Sequence, residues 1–115
     1  MPVTWASRAE SPEGRTSPEE LVAAAHAACY CMALSNGLGK AGTPPTKLEV
    51  SASVTFEVGD AGARVASSAL TVRGEVPGIA AAAFREAAEV AKDGCPISKA
   101  LTGNVELSVE ATLAG

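Results

Sequence analysis

A chain of 115 residues supports one domain with a modest core, and with only 3% aromatic residues the packing must come from Ala, Val, Leu and Ile. The formal net charge of −4 and the lack of a Lys/Arg cluster argue against a nucleic-acid partner or an anionic membrane surface. Three cysteines do not suit a secreted disulfide framework, and residues 1–5 carry no signal-peptide pattern, so a cytoplasmic location is expected.

In chain order, residues 2–5 read as a short strand-like segment. A polar loop follows at 7–16, containing Arg8 and Arg15. Residues 17–39 carry a full set of helix-start signals. Ser17 can cap, Pro18 sits where a missing N–H costs nothing, and Glu20 completes an S-x-x-E capping box. Between Leu21 and Leu34 the only polar side chains other than the cysteines are His26 and Tyr30. A helix apolar on nearly every side is expected to be buried on more than one side. It reads as too short and too alanine-rich for a membrane span.

Gly39, Gly42 and Pro44-Pro45 end this helix. Residues 46–58 then alternate, with Leu48, Val50, Ala52, Val54 and Phe56 on one face, which predicts a half-buried strand. A turn at 59–62 leads to a second strand at 63–76, with an irregularity expected near Ser67-Ser68. Pro77-Gly78 breaks it. A second helix is predicted over 79–92, with Ile79, Ala83, Ala87, Val90 and Ala91 as its buried stripe. Residues 95–101 predict a short helix begun by Pro96, leaving Cys95 in the capping position. A last strand at 104–113 turns Val105, Leu107, Val109, Ala111 and Leu113 inward. The order is α+β: a long central helix and a second helix packed on a mostly antiparallel sheet, in one domain spanning 1–115.

The cysteines are the chemistry-bearing residues. Cys29 and Cys31 lie about 200° apart around a helix, so they cannot readily share a metal or a disulfide. A small buried hydrophobe is the commoner reading of a mid-helix cysteine, and more firmly so for Cys31 than for Cys29. His26 lies one turn before Cys29, which admits a Cys–His pair or a zinc ligand. With a single histidine and no carboxylate at ligand spacing, metal is the minor reading, and no cofactor is implied. Cys95, at a helix start, has its thiolate favoured by free N–H groups and the helix dipole, although a buried cap is an equal reading.

The run from Thr16 to Cys29, containing A-H-A-A-C, together with Val76-Pro77-Gly78-Ile79 and G-C-P-I-S-K-A-L at 94–101, resembles the OsmC/Ohr family of thiol peroxidases, nearer its OsmC branch. The resemblance implies a reductase of organic hydroperoxides, and less well of hydrogen peroxide, serving stress defence. It also implies an intertwined homodimer whose peroxidatic thiolate is Cys29 and whose resolving thiol is Cys95. An upstream arginine and the glutamate after the proline are implied too; these fall on Arg8, favoured over Arg15, and on Glu19. A dithiol reductant, of lipoyl type for example, would close the cycle. Relative to the family pattern the chain lacks about one N-terminal hairpin, Tyr30 stands where phenylalanine is common, and Cys31 where serine is. The competing class is a non-catalytic dimeric module that binds an apolar small molecule and has structural cysteines. Because Glu19 and Cys29 are ten residues apart on one predicted helix, a shared site implies that Glu19, and Arg8 with it, serves the cysteine of a partner chain.

Overall fold

The computed structural model describes residues 17–60 and 62–114. The expected segment at 2–5, the loop at 7–16 and both Arg8 and Arg15 lie outside the described residues.

Helix α1 spans Pro18–Lys40, with Ser17 as its cap: the Ser17 hydroxyl accepts from the Glu20 N–H at 3.2 Å. Glu19 and Glu20 in the first turn and Lys40 in the last complement the helix dipole. The buried side chains of its body, His26, Tyr30, Leu34 and Leu38, recur every four residues and form a single stripe. Within one chain, then, the helix is not buried on more than one side: Leu21 is 41% and Met32 74% exposed. At 23 residues it is also not too short to cross a membrane by length and composition alone. Its buried stripe, however, is seated on the sheet and on the two other helices.

The strands follow the alternation of the sequence. β1 (Lys47–Gly59) pairs antiparallel with β2 (Gly62–Glu75) through a tight turn in which Gly59 faces Gly62, and Gly62 takes a positive φ of 105° that favours glycine. The register slips between Thr55 and Phe56, whose partners are Ser67 and Val65; the skipped residue, Ala66, adjoins the irregularity expected at Ser67-Ser68. β3 (Glu106–Leu113) lies on the other side of β2, giving the order β1-β2-β3.

That last pairing is parallel, so the sheet is mixed. The reason is the connection: two helices intervene between β2 and β3 and carry the chain back across the sheet before the last strand begins.

Helix α2 (Ala81–Gly94) covers β3 and packs beside α1, and the short α3 (Pro96–Leu101) closes against both. The buried residues of α2 are Phe84, Ala88 and Ala91; Ala83 is exposed and Val90 is 66% exposed. The stripe is therefore rotated from the expected one, because the only aromatic side chain on this helix claims the core. A Cβ at Gly74 on β2 would lie 2.6 Å from Phe84 Cζ, so the absent side chain is what admits the ring. The core joins Phe84 to Tyr30, Leu34, Leu38, Leu70 and Val72, with the inward residues of β1 and β3 packed against it.

Candidate active site

The site forms where α2 gives way to α3. Cys95 ends one helix and caps the next: its N–H bonds the Ala91 carbonyl at 2.9 Å and its carbonyl accepts from the Lys99 N–H at 3.0 Å. Its backbone is extended, and Pro96 starts α3 without needing a donor. The side chain is fully buried. The amides of the first turn of α3 consequently face a sulfur held inside the protein.

Cys29 comes from α1, packs against the core and meets Cys95 thiol to thiol. The two sulfurs differ in character. Burial pushes the Cys29 thiol up, Cys95 adds to the rise, and the Ile97 N–H offsets only part of it, so Cys29 stays above its ordinary value. Burial also opposes ionisation of Cys95. There the interactions with Cys29, with the N–H and hydroxyl of Ser98 and with the Ile97 N–H outweigh burial and bring the thiol below its ordinary value. The Cys95 sulfur does not complete a capping bond of full hydrogen-bond geometry; the α3 amides act on it by facing it.

His26 lies one turn before Cys29 and is also fully buried. Its Nδ1 lies 2.7 Å from Ser68 Oγ on β2, and its Nε2 lies 2.8 Å from Ser98 Oγ on α3. Both ring nitrogens are thus engaged by serine hydroxyls, neither by a cysteine. Burial lowers its pKa, so the ring is neutral at pH 7. Among the described residues no group of three His, Cys, Asp or Glu side chains is placed to hold a metal. Beside it, Tyr30 donates to the Ala88 carbonyl at 3.0 Å and ties α1 to α2, and burial raises its pKa.

Of the residues singled out in the sequence, Cys29 and Cys95 come together, and His26 joins them through Ser98. Glu19 does not. It is buried in the first turn of α1, and the helix runs unbroken from there past Cys29. Ten residues of helix separate the two by about 15 Å along the axis. Ser68 and Ser98 did not stand out in the sequence. Their signal is position: Ser68 shares an inward face of β2 with Leu70 and Val72, and a serine on an apolar face requires a buried partner.

Residues 11–110 match the family model described as OsmC-like protein. The chain belongs to this family. It is 42% identical to "Peroxiredoxin OsmC" of Escherichia coli (strain K12) over 110 residues, which cover 96% of this chain and 76% of that protein. It is 33% identical to "Organic hydroperoxide resistance protein OhrA" of Bacillus subtilis (strain 168) over 105 residues, 90% of this chain and 72% of the other. The crystal structure of the organic hydroperoxide resistance protein OhrB of Bacillus subtilis superposes with a TM-score of 0.75 at 26% identity, covering 93% of this chain and 76% of that one. The α+β architecture read from the sequence is the fold of this family.

Proposed function

We propose that this OsmC-like chain is a cysteine-based peroxidase that reduces organic hydroperoxides, with Cys29 as the peroxidatic and Cys95 as the resolving thiol. The observation that carries the reading is the meeting of Cys29 and Cys95 at the start of α3. The names of the relatives, peroxiredoxin and organic hydroperoxide resistance protein, point the same way.

The chemistry runs in three steps. The Cys29 thiolate attacks the distal oxygen of the hydroperoxide, the O–O bond breaks, and the alkoxide leaves and takes a proton to become the alcohol. Cys29 is left as a sulfenic acid. The Cys95 sulfur then attacks the Cys29 sulfur, forming the disulfide; the sulfenic hydroxyl leaves and, with the proton from Cys95, becomes water. A dithiol reductant finally exchanges into the disulfide, restoring both thiols and becoming oxidised itself.

The lowered pKa of Cys95 suits a resolving nucleophile, whereas the raised one of Cys29 calls for a cation. We assign that role to Arg8, held by Glu19 through a carboxylate–guanidinium pair. The unbroken α1 keeps Glu19 from the Cys29 of its own chain, and the exposed apolar residues on α1 suit a second copy. The reading is therefore a homodimer in which Glu19 and Arg8 serve the partner's cysteine.

Peroxide consumption with a dihydrolipoyl-type dithiol tests the activity. The wild-type chain is expected to turn over, and the folded Cys29→Ser variant is expected to fall to background. Turnover by Cys29→Ser at the wild-type rate overturns the assignment. A chain that consumes no peroxide but binds apolar small molecules in the groove between α1 and α2, about 310 Å3 in volume and lined by no cysteine, is instead a binding module. Mixing inactive Cys29→Ser with inactive Glu19→Ala chains tests the crossing. Crossed sites regain activity on subunit exchange, and sites built within one chain do not.

A further inference from the structure

Ser68, His26, Ser98 and Cys95 are each essentially inaccessible to solvent and come from β2, α1 and the start of α3. Contacts of 2.7 Å and 2.8 Å link the serines to opposite nitrogens of the one ring. The Ser98 hydroxyl also engages the Cys95 sulfur. No step of the mechanism above uses His26, Ser68 or Ser98. A fully buried histidine between two buried hydroxyls has no solvent to satisfy it, so the proton positions along the chain are correlated.

Following the protons fixes the directions. A Cys95 thiolate accepts the single Ser98 hydroxyl proton. The 2.8 Å contact then requires Nε2–H to donate to Ser98 Oγ, which leaves Nδ1 bare and obliges the Ser68 hydroxyl to donate to it. In the opposite tautomer Nδ1–H donates to Ser68, the Ser98 proton goes to Nε2, and nothing remains for the sulfur except to stay protonated and donate. The neutral ring thus has two tautomers that match the two states of the thiol.

We propose that Ser68 and His26 are positioning residues for Cys95, holding the ring as the Nε2–H tautomer so that the Ser98 hydroxyl is aimed at the Cys95 sulfur. This rests on the resolving role assigned above to Cys95. It gives that role a device: a thiolate donor set inside the protein from β2. The groups that titrate around the sulfur are Cys29 and Tyr30 on α1, with Glu89 on α2 acting on Tyr30. Neither Tyr30 nor Glu89 changes in the test, and Cys29 is the same in every chain compared.

The test uses a Cys29→Ser, Cys31→Ser chain, in which Cys95 is the sole thiol, and follows the ultraviolet absorbance of its thiolate against pH, which needs no reagent to reach the buried sulfur. Ser98→Ala is expected to move the thiolate midpoint up by about one unit, a tenfold loss of thiolate at neutral pH, the scale of one hydrogen bond to a charged group. Ser68→Ala is expected to move it up as well, although the relay puts His26 and Ser98 between Ser68 and the sulfur. The Ser68→Ala, Ser98→Ala double variant is expected to go no higher than Ser98→Ala alone, since both cut one chain. An unmoved midpoint in Ser68→Ala, or shifts that add in the double variant, overturns the relay. His26→Phe provides a third reading where it folds, by far-ultraviolet circular dichroism; a folded His26→Phe with the parent midpoint also overturns it. The titration needs no peroxide, so failure of the relay is distinct from failure of the peroxidase reading.

Discussion

Cys29 and Cys95 meet thiol to thiol, and the N–H of Ile97 faces both sulfurs. One is carried by a long helix and the other by a two-helix junction, so the pair exists only when α1 is seated against α3. The shared amide favours whichever sulfur bears the charge. Burial and Cys95 hold the Cys29 thiol above its ordinary value, while Cys29 and Ser98 bring the Cys95 thiol below its own.

Removing the resolving thiol should leave the first step intact. Cys95→Ser is expected to consume one equivalent of hydroperoxide per chain in forming the sulfenic acid, and a second only on overoxidation, with dithiol-supported turnover at background. Excess peroxide should carry Cys29 on to sulfinic acid, read by peptide mass spectrometry. Continued turnover, or a Cys29 left unmodified, contradicts the resolving role.

His26 sets a pH dependence of stability. Its folded pKa is depressed by burial, so the unfolded chain binds the extra proton first. The folded state therefore keeps its full stability from this group above about pH 6.5, the unfolded value, and loses stability as the pH falls from there towards the folded pKa. Urea unfolding of wild type and His26→Gln at pH 7.5 and 5.5 measures it. The gap between the two proteins should narrow at the lower pH, and a gap that widens contradicts a neutral buried ring.

Gly74 and Phe84 share one space. Gly74→Ala would put a Cβ 2.6 Å from Cζ and 2.8 Å from Cε1 of a ring that is itself fully buried. The expected loss is about 1–3 kcal/mol, the range for overpacking a core. Adding Phe84→Leu should recover part of it. Thermal unfolding checks both, and an additive loss in the double variant contradicts the fit.

Much of this fold is local and was readable as such. Ser17 caps, β1 and β3 alternate, and Pro96 leaves Cys95 at a helix start, because each feature depends on a few adjacent residues. What could not be read depends on distant parts of the chain. Alanine spacing on α2 offered several equivalent stripes, and the choice fell to Phe84 only because Gly74, on another element, makes room for it. The parallel pairing of β3 follows from how the two helices return the chain, which no strand pattern encodes. The partners of His26 lie 42 and 72 residues away, so spacing along α1 placed it near Cys29 but could not give it to the serines. Glu19 was legible as a motif residue, yet the geometry of a continuous helix keeps it from the thiol of its own chain.

The central claim is that Cys29 and Cys95 form a redox pair driven by hydroperoxide. Its most direct measurement is peptide mapping after one equivalent of an organic hydroperoxide is added to the fully reduced wild-type chain without reductant. The account predicts loss of two thiols per chain, a disulfide joining the Cys29 and Cys95 peptides, and Cys31 still free. Unconsumed hydroperoxide with all three thiols intact, or a disulfide that involves Cys31 instead, would contradict it.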